Sequence, residues 1–230
     1  MSLPKTLHIS VQNIAGDLLK LDIDSQCKPA DLREIISEQW LVPPTLQNLL
    51  IGTELLEGTA DLSAYCTNDA PVLLTLLVSL NGAIDDLASG VVDTSQKLAA
   101  LRDLAEWGSR GGHQVITGIS QGLEDDDEGI RQATVKALAK VVETGNRIAI
   151  EAVSQRLEHK KLAVRQAAVE ALAHIVEKGD QHAIASVRQR LEHKNRGVRL
   201  AAAQAAAVVA EEVDEIAITV VSAELEHRER

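Results

Sequence analysis

The sequence predicts two domains, an α+β domain followed by an all-α domain built as a right-handed solenoid of helical hairpins. Three observations predict it. Residues 92–226 repeat with a period of 34 residues, which is the signature of a stacked array. The first 80 residues instead alternate apolar and polar positions, as half-buried strands do. The chain also has no Phe, and its only aromatics are Trp40, Tyr65 and Trp107. Its core is therefore made of Leu, Val, Ile and Ala, which suits thin helical layers. The expected boundaries are 1–80 for the first domain, 81–94 for a linker carrying a half-helix, and 95–230 for the solenoid.

Leu7, Ile9 and Val11 alternate, Ile14-Ala-Gly16-Asp breaks the pattern, and Leu19, Leu21 and Ile23 alternate again. That is a hairpin with a short glycine turn. A helix is expected from Pro29 to Trp40, because Pro29 suits a first turn and Leu32, Ile35 and Ile36 share a helical face. Pro43-Pro44 ends it. A short strand at Leu49-Leu50-Ile51, turn signals at Gly52 and Gly58, and a last strand from Val72 to Leu80 complete the domain. A helix laid on one face of a mixed sheet is the compact solution for such an order.

This segment resembles ubiquitin. Leu7 to about Leu77 aligns almost without gaps, through Ile9, Val11, Gly16, Leu21, Val42-Pro43-Pro44, Gln47, Leu49, Leu56-Glu57, Leu62-Ser63 and Tyr65. The resemblance implies a β-grasp fold. It also implies an exposed apolar patch for ubiquitin receptors, which falls by position on Ile14, Leu50, Leu74 and Leu76. The conjugation tail corresponds to Val78 to Gly82, where the chain continues, so the resemblance implies an integral domain and not a modifier.

In residues 81–94, Ile84, Leu87 and Val91 are expected to cover the first edge of the solenoid. Within the array, Leu-Glu recurs at 123–124, 157–158, 191–192 and 225–226. Lys97, Arg131, Arg165 and Arg199 form one column, and Ala99, Ala133, Ala167 and Ala201 the next. Ile130, Ala133, Ala137, Leu138 and Val141 make one helical face, and Ile150, Val153 and Leu157 another. Gly145 lies between them, with Gly111 and Gly179 in its column, each suited to a left-handed helix end. Asn146 and Asp180 are placed to cap the following helix. Each copy is thus a helical hairpin that needs neighbours to bury both faces. The period also fits tetratricopeptide repeats, but their aromatic columns are missing. Val-Arg-x-x-Ala-Val-x-Ala-Leu at 164–172 resembles the short form of the HEAT repeat instead. In that family an Asp in the turn between repeats usually bonds the arginine column; here the turns read Asp125-Asp126-Asp127, His159-Lys160-Lys161 and His193-Lys194-Asn195, and a ladder through Glu158 and Glu192 is the alternative.

The net charge of -11 disfavours general nucleic-acid binding. Two cysteines, Cys27 and Cys66, are too few for a disulfide framework and are expected as thiols. No leader pattern and no membrane-length apolar run is visible, so a cytoplasmic chain is expected, with the nucleus as the alternative. His159, His193 and His227 recur at the repeat period, but equivalent points in stacked hairpins lie about 10 Å apart, too far to share one zinc ion. No metal or other cofactor is expected. No phosphate loop, nucleophile elbow or EF-hand spacing occurs. Arg131, Arg165 and Arg199 are expected to be structural, with partner binding the alternative. Arg156, Lys160, Lys161, Arg188, Arg190, Lys194 and Arg196 suggest a basic ridge, diluted by Glu158 and Glu192.

The expected function is a non-enzymatic adaptor. The solenoid binds a protein partner, and the ubiquitin-like domain makes a second contact, with ubiquitin-pathway proteins as one partner class. The alternatives are a metal- or chromophore-dependent enzyme, like the deoxyhypusine hydroxylases or phycobilin lyases that share short HEAT repeats, or a structural subunit of a larger complex.

Overall fold

The computed structural model describes residues 6–65 and 72–210, and the chain divides into two units between Gly82 and Ala83. In the first unit, β1 (Thr6–Asn13) buries Leu7, Ile9 and Val11 and turns the residues between them toward the other face. A tight turn with Gly16 at φ 94° leads into the antiparallel β2 (Leu18–Asp24). Helix α1 (Pro29–Trp40) occupies its expected span. Its start is held by Asp31, whose carboxylate accepts the Lys28 N–H at 3.0 Å. It ends on Leu41, which takes the left-handed conformation at φ 53° and donates its N–H to Ser37 O.

A 3₁₀ turn (Pro44–Leu46) then feeds β3 (Gln47–Ile51). Two further strands follow, β4 (Glu54–Leu55) and β5 (Val72–Val78). β4 is not legible in the sequence, because two residues display no alternation. β5 stops at Val78 and not at Leu80, since a helix opens at Asn81. The sheet order is β2-β1-β5-β3-β4, with β1 and β5 parallel and the other neighbours antiparallel. Val11 pairs with Leu74, and Leu49 with Leu76, so these side chains share one face with Ile9 and are buried. Leu32 and Ile36 of α1 add to this core. Buried Gln47 ties helix to sheet, donating Nε2 to Arg33 O at 2.8 Å and Val42 O at 2.7 Å. Arg33 in turn donates to Leu56 O at 2.9 Å.

In the second unit, α2 (Asn81–Ala88) caps the helical array from Ala83 onward. Ala83 and Leu87 are buried, and Ile84 lies over Gly118, where an added Cβ would stand 2.6 Å from Ile84 Cγ1. Val91 does not join them. The helix stops at Ala88, and the following loop leaves Val91 95% exposed. The array itself has two rows. Helices α3 (Thr94–Trp107), α5 (Glu128–Val141), α7 (Leu162–Ile175) and α9 (Arg196–Val209) stack in one row. Helices α4 (Gly112–Gln121), α6 (Arg147–Gln155) and α8 (Gln181–Leu191) stack in the other. Ile130, Leu138, Ile150, Val153 and Leu157 are fully buried between rows and repeats. The second half of the fourth copy, with His227, lies outside the described residues, as does Cys66.

The turns inside the second and third hairpins follow one plan. Gly145 and Gly179 are left-handed, at φ 82° and 86°. Asn146 caps α6 and Asp180 caps α8 through side-chain oxygens. Each glycine also donates its N–H to the end of the next repeat's first helix, Gly145 to Ile175 O at 2.9 Å and Gly179 to Val209 O at 2.8 Å. The first hairpin departs from the expectation for Gly111, which sits at φ -89°. Gly108 and Gly112 are the left-handed residues there, at φ 57° and 54°. The cause is local: Gly112 stands in the column of Asn146 and Asp180 and has no side chain to cap α4, while Gly108 replaces the extended Val142 and Val176.

Candidate protein-interaction surfaces

The sheet of the first unit has a covered face and an open one. Residues on the open face follow from the register: Ser10 pairs with Leu73, Gln12 with Leu18 and with Thr75, and Leu50 with both Thr75 and Leu55. Leu73 is 54% exposed, Leu55 42% and Leu77 37%, while Leu50 is half-buried. Diagonal neighbours across strands lie within reach of one another, so these leucines form one apolar strip. Ile14, at the hairpin turn, is 83% exposed.

Leu74 and Leu76 do not belong to this strip. They are 1% and 2% exposed, because they share the covered face with Val11 and Leu49. A strand has a period of two, so a register one residue off exchanges its two faces completely. The exposed pair is Leu73 and Leu77. Sequence reading missed both, and Leu55 as well; the alternation in β5 fixes which residues pair up but not which pair faces water.

In the second unit the arginine column staples turns. Arg131 Nη1 donates to Asp125 O and Asp126 O, both at 2.8 Å. Arg165 Nη1 donates to His159 O at 2.8 Å and Lys160 O at 3.0 Å. Arg199 Nη1 repeats this on His193 O at 3.2 Å and Lys194 O at 3.3 Å. The column thus bonds main-chain carbonyls and needs no particular side chain in the turn. Lys97, at its head, reaches forward instead, with Nζ 2.5 Å from Asp125 Oδ2.

A second arginine column takes the glutamates. Arg156 Nε lies 3.0 Å from Glu124 Oε1, and Arg190 Nε lies 3.0 Å from Glu158 Oε1, each pair joining successive repeats. Lys161 pairs with Asp126 across the same boundary, holding that carboxyl below its usual range through hydrogen bonding first and charge second. The basic ridge therefore loses Arg156, Lys161 and Arg190 to internal pairing. The recurring histidines have a turn role too. His159 Nδ1 accepts Lys161 N–H at 3.2 Å and His193 Nδ1 accepts Asn195 N–H at 3.0 Å, as Asp125 Oδ1 accepts Asp127 N–H at 2.8 Å. Among the described residues, no group of three or more His, Cys, Asp or Glu is arranged to hold a metal ion.

Burial raises the Cys27 thiol above its ordinary range, with Asp31 and Asp24 adding to the shift. No helix among the described residues is long and apolar enough to cross a membrane. Against the curated proteins the chain finds no match. A family model described as HEAT repeats matches residues 116–207, which run from α4 into α9, and the helical hairpins stacked there are of that type.

Proposed function

We propose that this protein is a non-enzymatic adaptor, in which the HEAT-type solenoid binds a protein partner and the N-terminal unit, a ubiquitin-like β-grasp domain, makes a second docking contact. HEAT repeats are commonly protein-interaction scaffolds, which is compatible with the first part. The ubiquitin-like reading is supported by the sheet order β2-β1-β5-β3-β4 with α1 between β2 and β3, beside the nearly gapless match of motifs. The observation that carries the docking contact is the open-face strip of Leu50, Leu55, Leu73 and Leu77. The strip suits a partner with an apolar ridge. Receptors of the ubiquitin pathway are the partner class proposed.

The test is affinity capture from native extract with the full chain, followed by mass spectrometry, on the wild type and on Leu50→Ala and Leu73→Ala. Recovery of ubiquitin-pathway proteins that both substitutions abolish is the expected result; unchanged recovery overturns the docking contact. Elemental analysis and an absorption spectrum test the non-enzymatic reading. A stoichiometric metal or pigment overturns it.

A further inference from the structure

The outer side of an edge strand carries unpaired main-chain groups, and proteins usually blunt it with a very short strand, a bulge or a proline. One edge of the first unit's sheet is blunted in this way, since β4 has two residues. The other edge is not. β2 is seven residues long, contains no Pro, and pairs with β1 without a bulge from Leu18 opposite Gln12 to Asp24 opposite Thr6. It is the terminal strand in the order β2-β1-β5-β3-β4, so among the described residues no strand lies along its outer side. Its side chains also keep surface to offer. Leu19 and Leu21 lie on the covered face but stay half-buried, although Val11 and Ile9, opposite them on β1, are buried. Lys20 and Asp22 are exposed on the other face. Asp22 holds His8 Nδ1 at 2.6 Å, and its side chain is still 73% exposed.

We infer that β2 pairs antiparallel with β2 of a second copy of this chain, about a two-fold axis at Leu21, joining two five-stranded sheets edge to edge. The strand's own residues select this occupant. With the axis at Leu21, Lys20 stands opposite Asp22 of the second copy, and Asp22 stands opposite its Lys20. Opposite charges on directly facing residues stabilise a strand pair, and like charges destabilise it. On the covered face Leu21 meets its own copy and Leu19 meets Ile23, so apolar side chains face apolar ones. Moving the axis by one residue, to Lys20 or to Asp22, sets a charge against its own copy, so the charges also fix the register. Seven residues a side make a small interface, and the dimer is therefore reversible. It uses none of Leu50, Leu55, Leu73 and Leu77, and it stands independently of the docking contact.

The test is sedimentation equilibrium of the full chain over a concentration series, on the wild type, on Lys20→Glu, on Asp22→Lys and on the double variant carrying both. A monomer–dimer equilibrium is expected for the wild type. Each single reversal places like charges opposite each other twice in the dimer and is expected to weaken association about tenfold. The double variant restores opposite charges in both pairs and is expected to recover association close to the wild-type level. Both positions are exposed, and circular dichroism checks that each variant is folded. A wild type that stays monomeric up to about 1 mM overturns the pairing. So does a dimer that either single reversal leaves intact, or one that the folded double variant fails to recover.

Discussion

At the scale of single residues, the repeat positions are explained by what each side chain bonds. Asp125, His159 and His193 differ in chemistry but occupy one column because each supplies an acceptor to the N–H two residues on. Leu41 closes α1 in the left-handed conformation. It is 66% exposed and holds φ 53°, a conformation that costs a residue with a Cβ about 1–2 kcal/mol. Leu41→Gly is expected to stabilise the first unit by about 0.5–1 kcal/mol, read as a higher thermal midpoint. Asp93 caps α3, and the Gln96 N–H, with the Ser95 hydroxyl next in effect, holds its carboxyl below the ordinary range. A lowered folded value means the cap stabilises above about pH 4 and is lost as pH falls through that lowered value. Asn at this position accepts the same bond without titrating. Asp93→Asn is therefore expected to lose less stability than the wild type on acidification, measured as urea midpoints along a pH series.

At the scale of elements, β5 shows how one strand serves two purposes. Leu74 and Leu76 close the core, while Leu73 and Leu77 remain for contact. Leu74→Ala is expected to cost about 2–5 kcal/mol, as large-to-small core substitutions do. Leu73→Ala is expected to fall within about 0.5 kcal/mol of the wild type. Chemical denaturation of the pair checks the register directly, since an inverted strand reverses the two results. The hairpin turns make the same point in the helical unit. A left-handed Gly followed by Asn or Asp produces a side-chain-capped turn twice, and Gly108 with Gly112 produces one without a side-chain cap. Asn146→Ala is expected to cost about 1 kcal/mol through loss of the α6 cap, read from the same denaturation curves.

At the scale of the whole molecule, the helical unit is a line of neighbours, and its stability depends on how each end is closed. The first end is closed by α2, whose Ile84 fills the space over Gly118. Gly118→Val is expected to expel that contact at a cost of about 1–3 kcal/mol, with hydrogen exchange rising first in α2 and α4. By itself the sequence determined the repeat period, the helical faces, the span of α1 and the hairpin of β1 and β2. Each of these is a local periodicity or a residue with a fixed dihedral preference, and such features are carried by neighbours along the chain. The tertiary structure alone decided which face of β5 is buried, that β4 exists, that Arg156 and Arg190 rather than the first arginine column take the glutamates, and that Gly108 and Gly112 are the left-handed residues of the first turn. Those outcomes depend on what lies opposite a residue in space. The register of β5 and the pairing between stacked repeats are set by partners distant along the chain, β4 is too short to show any alternation, and one sequence position carries no mark of its partner.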